Sequence, residues 1–175
     1  MTTTLTDIDL HVRPISQHGM VDVPGPMGNF ACWFASASMV LAYRKPLLTT
    51  EMLGLRTIMR KVVNRGVQPD RLPELAAELG LEHLPAQQLF PRITVEEWHK
   101  ALSTLGPLMV VVGMHMVVVH GLRQRDGEWE IVYNDPWTGS AMHKVTWRFD
   151  SEVDWRRPIL FRRAGARPPL LAAAA

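Results

Sequence analysis

A chain of 175 residues, 47% of them hydrophobic, has apolar material for a single core of ordinary domain size, so disorder is expected only at its ends. Its 19 Lys and Arg against 17 Asp and Glu leave a net charge of +2, too small an excess to point to a nucleic-acid partner, and Arg156-Arg157 and Arg162-Arg163 near the end read as solvated surface. The single cysteine, Cys32, excludes an internal disulfide framework and any Cys-rich zinc site.

The first residues, MTTTLTDIDLHVRP, lack the basic-then-apolar order of a signal peptide. The most apolar run, PLMVVVGMHMVVVHGL, is broken by Gly113 and His115 and falls short of the roughly 18 residues of a membrane span. The expectation is a chain made in the cytoplasm, with no membrane partner, and any export by a route without a classical leader.

In chain order, residues 1–28 are polar and then rich in Pro and Gly, which predicts extended backbone. From Cys32 to Tyr43, small Ala35, Ser36, Ala37 and Ser38 precede bulkier Met39, Val40 and Leu41, the pattern of a buried helix that lets neighbours approach closely. Lys45-Pro46 ends it. Thr49 or Thr50 caps a second helix through Met52, Leu55, Ile58, Met59 and Val62 to Gly66, and a third runs from Asp70 to Leu79 and closes at Gly80. Thr94-Val95-Glu96-Glu97 is a capping box that opens a fourth, ending at Gly106. Residues 107–163 then turn rich in Val, Ile, Trp and Phe. They divide into strand-sized pieces, PLMVVVG, HMVVVHGLR, EWEIVYND, AMHKVTWRF and RPILFRR, with a turn at Asp126-Gly127. The tail, residues 164–175, reads as disordered, leaving a single domain over 1–163. Helices first and antiparallel strands after them is the α+β pattern.

The chemistry centres on Cys32. Buried thiols are common as small hydrophobes. At the start of a helix, however, unpaired N–H groups and the dipole favour the thiolate, which is the nucleophile. A nucleophilic cysteine needs a base and an orienter for that base. Of the seven histidines, His11 and His18 lie in the irregular N-terminal stretch, His83 and His99 read as surface, and His143 alternates along a strand beside Lys144. His115 and His120 remain. Five apart, they point to opposite faces of an unbroken strand, so at most one faces the cysteine. Their spacing suits no metal site.

Cys32-Trp33 followed by small residues, then His115-Met116-Val117-Val118-Val119-His120-Gly121, then Asn134-Asp135-Pro136-Trp137 resembles the papain-like cysteine peptidases, most closely the small bacterial branch of AvrRpt2-type effectors and bacteriocin-leader peptidases. The resemblance spans residues 29–139. Because that branch carries a glycine six residues after its histidine, it selects His115 as base and Asp135 as orienter. It implies a papain-like α+β fold, hydrolysis of a peptide bond in a protein or peptide through a thioacyl-enzyme, no cofactor, a role as a secreted effector or toxin, and an inhibitor or immunity protein as partner. Amidase, deamidase or transferase chemistry, or a catalytically inactive binding module, are the alternatives on the same scaffold. Papain-like enzymes place an oxyanion-binding Gln about six residues before the cysteine; Pro26 stands there, so the nearest amide, Asn29, takes that role, Gln17 being far upstream. Register adds a condition. A regular two-residue hairpin at Asp126-Gly127 pairs Val118 with Asp135, on the face of His120, so the His115 reading requires a β-bulge or an odd-length loop.

Overall fold

The computed structural model describes residues 5–18, 31–43, 57 and 71–161. Its strands are β1 (Ile8–Asp9), β2 (Glu82–Pro85), β3 (Leu108–Val112), β4 (His115–Arg125), β5 (Glu128–Asp135), β6 (Ser140–Val145) and β7 (Pro158–Phe161). Its helices are α1 (Cys32–Ala42), α2 (Leu72–Leu79), α3 (Ala86–Leu89), α4 (Val95–Leu105) and α5 (Thr146–Glu152). The strands form one sheet in the order β2-β7-β3-β4-β5-β6, with β1 laid against β4, and every pairing is antiparallel.

The unbroken apolar runs of the central strands follow from cover on both faces. Along β3, β4 and β7, Met109, Met116, Val118 and Leu160 pack under α1 and α2, while Leu108, Val110, Val117, Val119 and Phe161 pack against the layer of Trp98, Leu102 and Phe149. Period-2 alternation thus feeds two cores, each buried side chain contributing roughly 1.5–3 kcal/mol. Helices flanking an antiparallel sheet is the α+β architecture expected.

Local signals also hold. Thr94 and Glu97 make the reciprocal capping box at the start of α4, and Gly80 closes α2 at φ 68. Arg156 and Arg157 both pair with Asp154 at the surface, in line with a solvated face. Of the predicted helix over 49–66 only Thr57 is described, and it is helical; the tail 164–175 lies outside the described residues.

One element differs in type. The stretch AMHKVTWRF is not one strand: β6 stops at Val145 and α5 takes over. A strand would put Trp147 and Phe149 on the same face. Helical spacing instead buries Thr146 and Phe149 and turns Trp147 to solvent, with the Thr146 hydroxyl donating to the Trp129 carbonyl at 2.6 Å. The short strands β1 and β2 carry no apolar alternation of their own and exist through their partners.

Within α5, Asp150 accepts the indole N–H of Trp98 at 2.9 Å, and burial raises its pKa to about 6 against that hydrogen bond. The folded state therefore holds a proton that the unfolded chain releases above pH ~4, and stability falls as pH rises from there to about 6. Asp150→Asn keeps an acceptor for Trp98 without the charge. Thermal unfolding at pH 7.5 is expected to show it more stable by on the order of 1–2 kcal/mol, discounted for the partial exposure of the carboxylate, with the gain vanishing near pH 4.

Candidate active site

The register condition is met by a bulge. Arg125 pairs with Glu128 across a turn whose Asp126 and Gly127 have φ 52 and 83, the type I′ geometry that an Asp-Gly pair favours. The pairing continues to Gly121 opposite Val132, skips His120, and resumes with Val119 opposite Tyr133 and Val118 opposite Asn134. One extra residue in β4 moves Asp135 from opposite Val118 to opposite Val117, the side of the strand that carries His115. His115 Nε2 and Asp135 Oδ1 lie 2.6 Å apart. The same Asp135 oxygen accepts the Trp137 backbone N–H at 2.8 Å, which fixes the carboxylate.

The imidazole also makes a side-chain hydrogen bond with Cys32, and with Nε2 held by Asp135 its Nδ1 is left for the sulfur. That contact is the largest influence raising the His115 pKa to about 8; burial opposes it, and Asp135 adds to the rise. The three expected residues are therefore in mutual reach, and the pair favours imidazolium at neutral pH.

Sequence explains how α1 delivers the thiol. Its N-cap is Ala31, with no side-chain cap and no acidic residue in the first turn, so the N–H groups at the sulfur's end are not taken by a side chain among the described residues. Small residues let the helix press on β4: buried Ser36, one turn beyond Cys32, donates its hydroxyl to the Met116 carbonyl at 3.1 Å, next to His115. Ser36→Ala removes this tie between the two halves of the site. The expected result is a stability loss of about 1 kcal/mol, read by denaturant titration, and a drop of about tenfold in kcat/KM at temperatures where both proteins are folded.

His120, the alternative histidine, is buried at the bulge, and burial lowers its pKa despite the charge of Asp9 nearby. Among the described residues no three His, Cys, Asp or Glu side chains gather as metal ligands would. Asn29 lies outside the described residues. Gln17, distant in sequence, is brought close: it is buried, its backbone N–H donates to the Pro136 carbonyl at 2.9 Å, and the ring of the following His18 meets Trp137 edge-on at 4.9 Å. Spacing from Cys32 concealed it; an amide in an otherwise polar N-terminal stretch was the one available signal. Gly121, six residues after His115, has a local reason as well. A Cβ there would stand 2.8 Å from the Ile8 carbonyl and 3.0 Å from the Val132 Cβ, so β1 lies on β4 only over a glycine.

A helix opening on a cysteine, set against an antiparallel sheet whose strands bring an imidazole and a carboxylate together, is the papain-like arrangement. A model of the papain-like cysteine protease AvrRpt2 family matches residues 17–154, and the chain belongs to that family. In fold it is similar to UfSP from C. elegans, with a TM-score of 0.55 and 15% identity over 95% of this chain, and it spans 36% of that structure's length. No curated protein sequence matches it.

Proposed function

We propose that Cys32, His115 and Asp135 form the catalytic triad of a peptidase acting on a specific protein target. The observation that carries the reading is the chain of contacts from the Cys32 thiol through the His115 imidazole to the Asp135 carboxylate. The imidazole takes the thiol proton, and the thiolate attacks the carbonyl carbon of the scissile bond. The imidazolium returns the proton to the departing amine. Water, deprotonated by the same imidazole, then cleaves the thioester to a free carboxylate and restores the thiol. Asp135 holds the ring's orientation and offsets its charge. The oxyanion is met by the backbone N–H of Cys32 and a side-chain amide. Asn29 and Gln17 are the two candidates, and the position of Gln17 beside the Asp135–Trp137 turn supports the latter.

Membership of the AvrRpt2 family supports an effector or toxin role, delivered from the cell that makes it and held in check there by an inhibitor or immunity protein. No described helix is long and apolar enough to cross a membrane. The working unit is proposed as one domain over 1–163. Comparing the cleaved peptides of a proteome treated with the intact protein and with Cys32→Ala tests the reading: new termini are expected with the intact protein alone, and identical patterns reject it. Mass analysis of the products separates hydrolysis from transfer, which adds a nucleophile's mass, and from deamidation, which leaves the backbone intact.

A further inference from the structure

Residues 8–18 form a strap that runs from β1, alongside the middle of β4, past Asn134 to the turn that follows β5. Its backbone is tied at both ends, by Leu10 N–H to the His120 carbonyl at 3.0 Å and by Gln17 N–H to the Pro136 carbonyl at 2.9 Å. Beneath it lie two polar side chains that the catalytic reading does not use. Asn134, fully buried and adjacent to Asp135, donates from Nδ2 to the Val12 carbonyl at 2.8 Å. His120, only 4% exposed, sets Nδ1 3.5 Å from Asp9 Oδ1. The His120 ring interacts with the side chains of both Asn134 and Asp9, so the pair and the strap share one polar cluster, whose burial costs desolvation. Apolar side chains there would avoid that desolvation cost, so packing alone is a poor account of this pair.

We propose that His120 and Asn134 are positioning residues: they clasp the strap at Asp9 and Val12, and so fix where its far end lays Gln17 and His18 against the Pro136–Trp137 turn. The bulge at His120 then serves twice, setting the register of Asp135 and turning an imidazole toward the strap. The consequence for turnover rests on the catalytic reading above; the consequence for the strap does not.

Hydrogen exchange of the full chain, resolved by residue, tests the clasp. Asn134→Asp keeps the shape but loses the donor, and His120→Leu keeps the volume but loses polarity; each is expected to speed exchange at both Leu10 and Gln17 at least tenfold while Val110 and Val118 stay protected. His120→Gln, which still reaches Asp9 with an N–H, is expected to restore most of the protection. Unchanged exchange at Gln17 in both disruptive variants overturns the proposal, as does full protection in His120→Leu with loss in His120→Gln, the order that simple packing predicts. If a variant loses protection throughout β3 and β4, Asp9→Ala, which removes from the exposed strap the carboxylate that His120 faces, carries the same test from the other side. The peptidase reading can fail in the proteome comparison with these exchange results intact.

Discussion

His115→Ala is expected to remain folded, to alkylate at Cys32 with iodoacetamide at pH 7 at least tenfold more slowly, and to lose kcat/KM by on the order of 10³ or more. The side chain is partly exposed at the end of β4, and its ring serves Cys32 and Asp135 rather than either apolar layer. Removing it therefore costs little packing but removes the only described imidazole in contact with the thiol. The effect is large because in the proposed mechanism the ring acts at three moments, taking the thiol proton, protonating the leaving amine and activating water. Cys32→Ala should abolish alkylation and turnover together. Rapid alkylation surviving in His115→Ala, with turnover within tenfold of the parent, would remove His115 from the mechanism.

The second large effect is with pH. Hydrolysis is expected to decline as pH rises through about 8, where the His115 imidazolium gives up its proton and the leaving amine loses its acid. Because the contact with Cys32 is the largest influence holding that proton, Cys32→Ala should move the His115 titration, followed by NMR of its ring protons, to lower pH. Asp135→Asn should also move it down, by less. It should cost about 10² in kcat/KM, since an amide cannot balance the ring's charge or enforce one tautomer. The same raised pKa has a stability consequence of fixed sign: the contribution of the charged ring is fully present below pH ~6.5 and lost as pH climbs through about 8. Acid and not alkali should therefore favour this part of the fold. A His115 titration near 6 that neither substitution moves would reject the ion pair.

Much of this was legible in local pattern. Helical spacing, a capping box and an Asp-Gly turn each declare themselves within a few residues, because the forces behind them act between near neighbours. The placement of Cys32 at the mouth of a buried helix belongs to the same class, and so does the type I′ hairpin that carries His115 and Asp135 on adjacent strands. The helical turn of α5 escaped because Trp147, Phe149 and Val145 alternate as a strand does; only the buried layer around Trp98 and Tyr133 chose the period that sinks Phe149 and frees Trp147.

Local pattern left His115 and His120 tied until a family likeness chose between them, and the physical choice was tertiary. It turned on one unpaired residue at His120, a bulge that keeps Leu122 and Ile131 in the same core while β1 crosses over Gly121. Gln17 reached the turn after Asp135 in the same way, carried by a strap held from β4 and β5 over 122 positions of sequence in the case of Asn134 and Val12. Amino-acid order alone determined which groups could do thiol chemistry and which local elements would bear them. Which groups meet was decided by burial, because a register shift of one residue exchanges every side chain between two apolar layers, and only the folded sheet supplies the energy that forbids it.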